Sequence, residues 1–412
     1  MTDQCDRILT LDIVRGVAVM GILTMNIAAF AMPFPAYANP AAYGGDSGLD
    51  LASWAFNFLI FDGKMRGLFS ILFGASTLLV IERATASGRG GARSHYARMV
   101  VLLAFGLAHF YLIWWGDILV LYAMCGSLLY FFRDRSPRWL TRWAIALITL
   151  SIISFSLTGL TATLADRPGL PPGVAAGFVE AREALTVEFG AESPKIRDDL
   201  RLYRSDYATI VDSRLNGRRW EPFTAILGFG LETVGLMMLG MALFKSGFLT
   251  GDWERERYRS WTIRTLLVAL PPLALLAWWQ ASTDFDPTRI FLVFFALSTP
   301  FDVALAVGWA ALIILWAKSG ALPALQARVA AAGRMAFTNY LATSIVMSSL
   351  FYGYGLGLFG EVGRAALWPF VLGMWALILL WSKPWLDRFA YAPLEWLWRS
   401  LSRLQLQPLR KA

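Results

Sequence analysis

Two apolar runs of this chain carry a cation and a polar side chain at the same interval. Arg15 and Asn26 are eleven residues apart in one, and Arg98 and His109 repeat the spacing in another. At about 100° and 1.5 Å per helical residue, each pair shares a face and spans about 16 Å. His109 is the one histidine inside an apolar run, whereas His95 reads as a solvated loop residue. An imidazole titrates near neutrality and can take a proton from an attacking hydroxyl or amine, the more so if a carboxylate such as Asp117 fixes its tautomer. The same ring can equally serve as a hydrogen-bonding bridge between helices. Its type and position leave both roles open.

Further ionisable groups sit where lipid would penalise them. Asp62, Arg66, Asp117, Glu232 and Asp302 fall between the outer boundary and the middle of apolar runs, where a charge facing hydrocarbon costs about 3 kcal/mol or more. A polar chamber opening outward would collect them. Asp62 and Arg66, one turn apart, read as an intrahelical ion pair. Asp12 and Arg15 can pair at the entrance of the first run, or Arg15 can instead hold a phosphate. Asp302, two residues after Pro300, either answers backbone amides freed by the proline or lines the chamber. No glycine-rich phosphate loop, metal-binding histidine pair or nucleophile elbow occurs, so nucleotide hydrolysis, zinc hydrolysis and serine-hydrolase chemistry have no support, and no metal is expected. Cys5 and Cys125 fall in a tail and a span, which suggests neither a disulfide framework nor a paired metal site.

The elements that must position these groups are membrane helices. Hydrophobic residues make up 57% of 412 positions and charged residues 16%, below the quarter or so usual in a water-soluble chain. The 18 tryptophans lie largely near the ends of apolar runs, where amphipathic rings occupy the headgroup layer. The net charge of +8 resides in arginines and lysines between those runs, the pattern of cytoplasmic loops and not of a nucleic-acid surface. An Ala36-Tyr37-Ala38 sequence imitates a signal-peptidase site, but the preceding run is long and begins with Asp12 and Arg15, so it is read as a retained span.

Ten spans of roughly 20 residues follow: 8–32, 65–81, 99–115, 118–132, 143–164, 223–244, 261–280, 290–316, 335–354 and 367–381. Residues 51–61 are read as an interfacial helix. Pro271-Pro272 and Pro300 should kink their spans. The basic loops 82–98, 133–142, 245–260, 318–334 and 383 onward all fall inside if the N-terminus does, which puts both termini in the cytoplasm of a multi-pass inner-membrane protein. The long hydrophilic stretch 166–221, with helical composition at Val174 to Glu188 and Lys195 to Ile210, then forms an extracytoplasmic helical cap. The fold class is thus all-α: a polytopic bundle with an N-terminal half (1–165), the cap (166–221), and a C-terminal half with its tail (222–412). The lipid bilayer is its environment, nucleic acid is not a partner, and the oligomeric state is open.

Leu11-Asp12-Ile13-Val14-Arg15-Gly16, then Gly21-Ile22-Leu23 and Asn26, resemble the opening of the bacterial YeiB-like inner-membrane family, domain of unknown function 418. Phe69 to Gly74, Gly116-Asp117-Ile118-Leu119, Gly333-Arg334-Met335-Ala336, Thr338-Asn339-Tyr340 and Pro393 to Arg399 extend the resemblance nearly end to end. More distantly, the Asp-x-x-Arg-Gly opening is similar to heparan-α-glucosaminide acetyltransferase and other transmembrane acyltransferases, which move an acyl group from acyl-CoA across a membrane. Asn26 matches that enzyme's active-site asparagine, while its loop histidine has no counterpart between Asn26 and Asp62.

That resemblance implies acyl-CoA as donor substrate. Arg15, Arg98 and Arg334 are expected to gather the CoA phosphates, and Asn26, His109 and Asp117 to activate an acceptor that could be a glycan, a lipid or a small amine. Asp62, Arg66, Glu232, Asp302, Asn339 and Tyr340 are further candidates for the cavity wall. The same charges would suit a proton-coupled transporter or channel, and a non-catalytic lipid-binding scaffold is the third possibility.

Overall fold

The computed structural model describes residues 8–165, 167–169 and 171–411; Cys5 and Asp166 lie outside them. Among the described residues, seventeen α-helices account for the architecture: α1 (Leu9–Ala31), α2 (Gly48–Ile60), α3 (Lys64–Ala86), α4 (Gly91–Ala108), α5 (Leu119–Leu128), α6 (Pro137–Thr163), α7 (Pro172–Phe189), α8 (Pro194–Tyr203), α9 (Tyr207–Asp212), α10 (Glu221–Lys245), α11 (Arg255–Ala281), α12 (Pro287–Leu292), α13 (Thr299–Ser319), α14 (Pro323–Arg334), α15 (Ala336–Phe351), α16 (Trp368–Arg388) and α17 (Pro393–Arg403). The protein is a polytopic helical membrane bundle. Leucines such as Leu150, Leu157, Leu267, Leu275 and Leu380 are exposed on its long helices, as side chains facing lipid would be, and α1 is the buried centre, with Ile13, Val14, Ala18 and Ala31 fully enclosed.

Where ten crossings are expected, eight helices among the described residues are long and apolar enough to span a membrane. The other two expected spans are short, because α5 has 10 residues and α15 has 16. The expected single span 290–316 is also divided: a π-turn at Val293–Leu297 separates α12 from α13, and Pro300 lies in the first turn of α13. Proline is tolerated there because a first-turn amide has no helical partner to lose. It starts a helix and does not kink one. α11 continues through Pro271 and Pro272.

The basic stretch 318–334, expected as a loop, contains α14, which packs on α1. A Cβ on Gly16 would come within 2.1 Å of the Val329 carbonyl oxygen, and one on Gly333 within 1.9 Å of the Asp12 carbonyl oxygen. Backbones can approach so closely only where both contact points lack side chains. The Val174 to Glu188 and Lys195 to Ile210 stretches are helical, as α7, α8 and α9. This cap docks on the bundle where the Asp199 carboxylate accepts the Phe34 amide at 2.8 Å and Gly353 N–H donates to the Tyr203 carbonyl at 2.8 Å.

Candidate functional site

A cavity of about 280 Å3 opens among α1, α3, α4, α15 and α17. Arg15, Arg98, Arg334 and Arg399 make part of its wall basic, and Phe73, Tyr122, Phe337 and Tyr340 make the rest aromatic. The three arginines proposed from sequence therefore converge, although they lie on α1, α4 and α14. Arg15 is held by Asp12 at 3.1 Å and by the Ser76 hydroxyl at 2.8 Å, so the local pairing and the cavity position coexist. The Arg98 guanidinium lies 4.4 Å from the Trp398 ring centroid, and the Trp398 indole donates to the Arg98 carbonyl at 3.1 Å. The charges that act most on Arg98 are those of Arg399, Arg403 and Arg15, all positive. Such a mouth favours a polyanion over any cationic ligand.

His109 stands at the end of α4, where the helix widens into a π-turn over His109–Ile113. Wide turns of this kind recur at functional sites because they re-aim a side chain without breaking the helix. Nδ1 of His109 is 2.8 Å from Oδ1 of Asp117, and Oδ2 of Asp117 accepts the Val120 amide at 2.8 Å, which fixes the carboxylate at the start of α5. The imidazole is buried and its Nε2 has no hydrogen-bond partner among the described residues. With Nδ1–H given to Asp117, Nε2 would carry the free lone pair of a base. His109 does not itself line the cavity. Tyr340 does, and its ring centroid is 5.2 Å from the imidazole. One tyrosine thus separates the basic cavity from the histidine–aspartate pair.

The other candidates are distributed differently. Arg66 does not pair with Asp62; it meets Glu232 on α10 at 2.8 Å, because Asp62 lies outside α3, before the positive-φ turn at Gly63. Asp302 pairs at 2.7 Å with Lys64, which is fully buried, and accepts the Ser298 hydroxyl at 2.8 Å. Lys64 carries no strong signal in the sequence, since a lysine at the head of an apolar run looks like a boundary residue. Asn339 is structural: its amide nitrogen donates to the Ala332 carbonyl at 3.0 Å and to Ser382 at 3.2 Å, while its oxygen accepts the Trp381 indole at 3.1 Å. None of Asp62, Arg66, Glu232, Asp302, Asn339 and Asn26 lines the cavity. His95 does, and it is buried against Tyr130 at 5.9 Å, not solvated in a loop, because α4 begins at Gly91 and carries it inward. Glu395, Trp398 and Arg399 also line the wall; their motif is conspicuous in the sequence, but its position after the apolar runs gives no sign that it reaches a cavity.

Fold and site together define a multi-pass helical membrane protein with an arginine-lined cavity beside a buried histidine–aspartate pair. The chain belongs to the YeiB-like family. It is 32% identical over 405 residues to "Uncharacterized protein YeiB" of Escherichia coli (strain K12), with 96% of each chain covered. It is 33% identical over 420 residues to "Uncharacterized protein YxaH" of Bacillus subtilis (strain 168), covering 98% of this chain and 96% of that one. A third relative, "Uncharacterized 39.9 kDa protein in amylase 3'region" of Bacillus acidopullulyticus, is 24% identical over 399 residues. Residues 243–405 match the family described as "Protein of unknown function (DUF418)". No solved structure matches.

Proposed function

We propose that this chain is a membrane acyltransferase that takes an acyl group from acyl-CoA on the cytoplasmic side and delivers it to a hydroxyl or amine acceptor nearer the outer side. The observation that carries the reading is adjacency: one cavity gathers Arg15, Arg98 and Arg334, and Tyr340 in its wall packs against His109 behind it. Coenzyme A presents a pyrophosphate and a 3′-phosphate, and planar guanidinium groups bind such oxyanions with paired hydrogen bonds. The aromatic wall would accept the pantetheine arm and a short acyl chain.

In the transfer, the acceptor's oxygen or nitrogen attacks the thioester carbonyl carbon while His109 Nε2 removes its proton. The tetrahedral intermediate then collapses, the carbon–sulfur bond breaks, and the imidazolium returns the proton to the departing thiolate. Asp117 stabilises that imidazolium through Nδ1. Tyr340 must turn aside to let the thioester reach the imidazole. Asn26 stands outside the cavity wall, and no role in the transfer is assigned to it.

The test is titration of the purified full-length protein with acetyl-CoA and longer acyl-CoAs. Saturable binding is expected, about 10-fold or more weaker in Arg98→Ala, as loss of a charge-assisted hydrogen bond implies. His109→Gln should keep the binding and lose thioester turnover. Absence of binding by any acyl-CoA overturns the reading.

A further inference from the structure

The cap holds a cation that no described residue answers with a hydrogen bond or an ion pair. Arg214, in the π-turn Ser213–Gly217 after α9, is 1% exposed, and its Nε, Nη1 and Nη2 all lack a hydrogen-bond partner among the described residues. A guanidinium does not shed its proton, and a buried charge without a counter-charge costs several kcal/mol. Within electrostatic reach of Arg214, the buried Tyr352 hydroxyl is likewise without a partner among the described residues. The Tyr352 ring stacks on Tyr203 at 4.8 Å, and the Tyr203 hydroxyl accepts from Arg218 at 3.3 Å. The positive charges of Arg214 and Arg218 act on both tyrosines. Arg218 is neutralised by Glu221, which it grips with Nε and Nη2. Arg214 is not.

We propose that Arg214 and Tyr352 form an anion-binding site in the cap that takes a carboxylate or phosphate group. The fork of Arg214 matches two oxygens of such a group, and the Tyr352 hydroxyl supplies a third donor. Its place in the fold gives the site a purpose. Tyr207 O–H donates to the Leu112 carbonyl at 2.9 Å and Tyr111 O–H to the Arg219 carbonyl at 2.5 Å, so this part of the cap is fastened to the π-turn that opens on His109. Anion binding does not depend on acyl transfer; if both hold, the acceptor is an acid whose charged end is held by the cap.

The experiment follows thermal unfolding of the full-length protein in a neutral detergent, titrated with inorganic phosphate and separately with acetate at constant ionic strength. Wild type and the exposed-site control Arg219→Gln should show a saturable rise in Tm. Arg214→Gln should lose it, and Tyr352→Phe should need about 10-fold more anion for the same rise. If Arg214→Gln does not fold, Tyr352→Phe carries the comparison. A parallel arm compares nanodiscs of phosphatidylglycerol and phosphatidylcholine without added anion: a Tm gain confined to phosphatidylglycerol and diminished in Tyr352→Phe identifies the phosphate as a lipid headgroup. If no soluble or lipid anion raises the wild-type Tm more than that of the two site variants, the proposal fails. An anion effect in a protein that binds no acyl-CoA keeps this site and removes the acyltransferase reading.

Discussion

Lys64 and Asp302 join the heads of α3 and α13 through a contact of 2.7 Å in which the lysine is wholly buried. Removing one partner of such a pair leaves the other charge uncompensated, at a cost of about 3–5 kcal/mol. Lys64→Met should therefore lower the detergent-phase Tm sharply, and Lys64→Met combined with Asp302→Leu should recover much of the loss; equal damage in single and double variants would refute the pairing. The His109–Asp117 contact was legible in the sequence because ionisable groups in apolar runs stand out and the two are only eight residues apart. The partners of Arg66 and Asp302 were not. Helical spacing offers Asp62 to Arg66, yet a turn intervenes, and the true partner Glu232 comes from a helix far along the chain.

Among the elements, α14 was hidden by its composition. An alanine-rich stretch with two arginines resembles a cytoplasmic loop by hydropathy, but small side chains are what allow two helix backbones to touch. Gly333→Ala would drive its methyl into the Asp12 carbonyl, whereas Gly373→Ala meets nothing within 4 Å. The first should lower Tm markedly or prevent accumulation of folded protein, and the second should leave Tm unchanged; equal behaviour would contradict the α1–α14 contact. α15 is capped from a distance: Glu395 accepts the Phe337 and Thr338 amides at 2.9 and 3.2 Å and also the Thr338 hydroxyl. Burial raises the Glu395 carboxyl above its ordinary value of 4.5, with the Thr338 and Phe337 donors pulling it back. A raised acid takes up a proton on folding, so its contribution to stability is complete below pH 4.5 and falls as pH climbs through the raised value. Unfolding measured from pH 4 to 8 should show that slope in wild type and lose it in Glu395→Gln.

For the molecule as a whole, the basic connections predict that the cap and the termini lie on opposite sides of the membrane. With Cys5 and Cys125 replaced, a membrane-impermeant thiol reagent on intact cells should label Ala176→Cys in the cap and spare Ser87→Cys between α3 and α4; the reverse pattern would invert the topology. The wall formed by α17 has a bearing on biosynthesis. Glu395, Trp398 and Arg399 of α17 share a cavity wall with Arg15 of α1, so helices far apart in the sequence must meet to build it. Until α17 leaves the ribosome, Arg98 of α4 has no Trp398 indole to rest against. The cavity wall is therefore complete only once α17 has been made, and a chain stopped before Pro393 would lack Glu395, Trp398 and Arg399 from it.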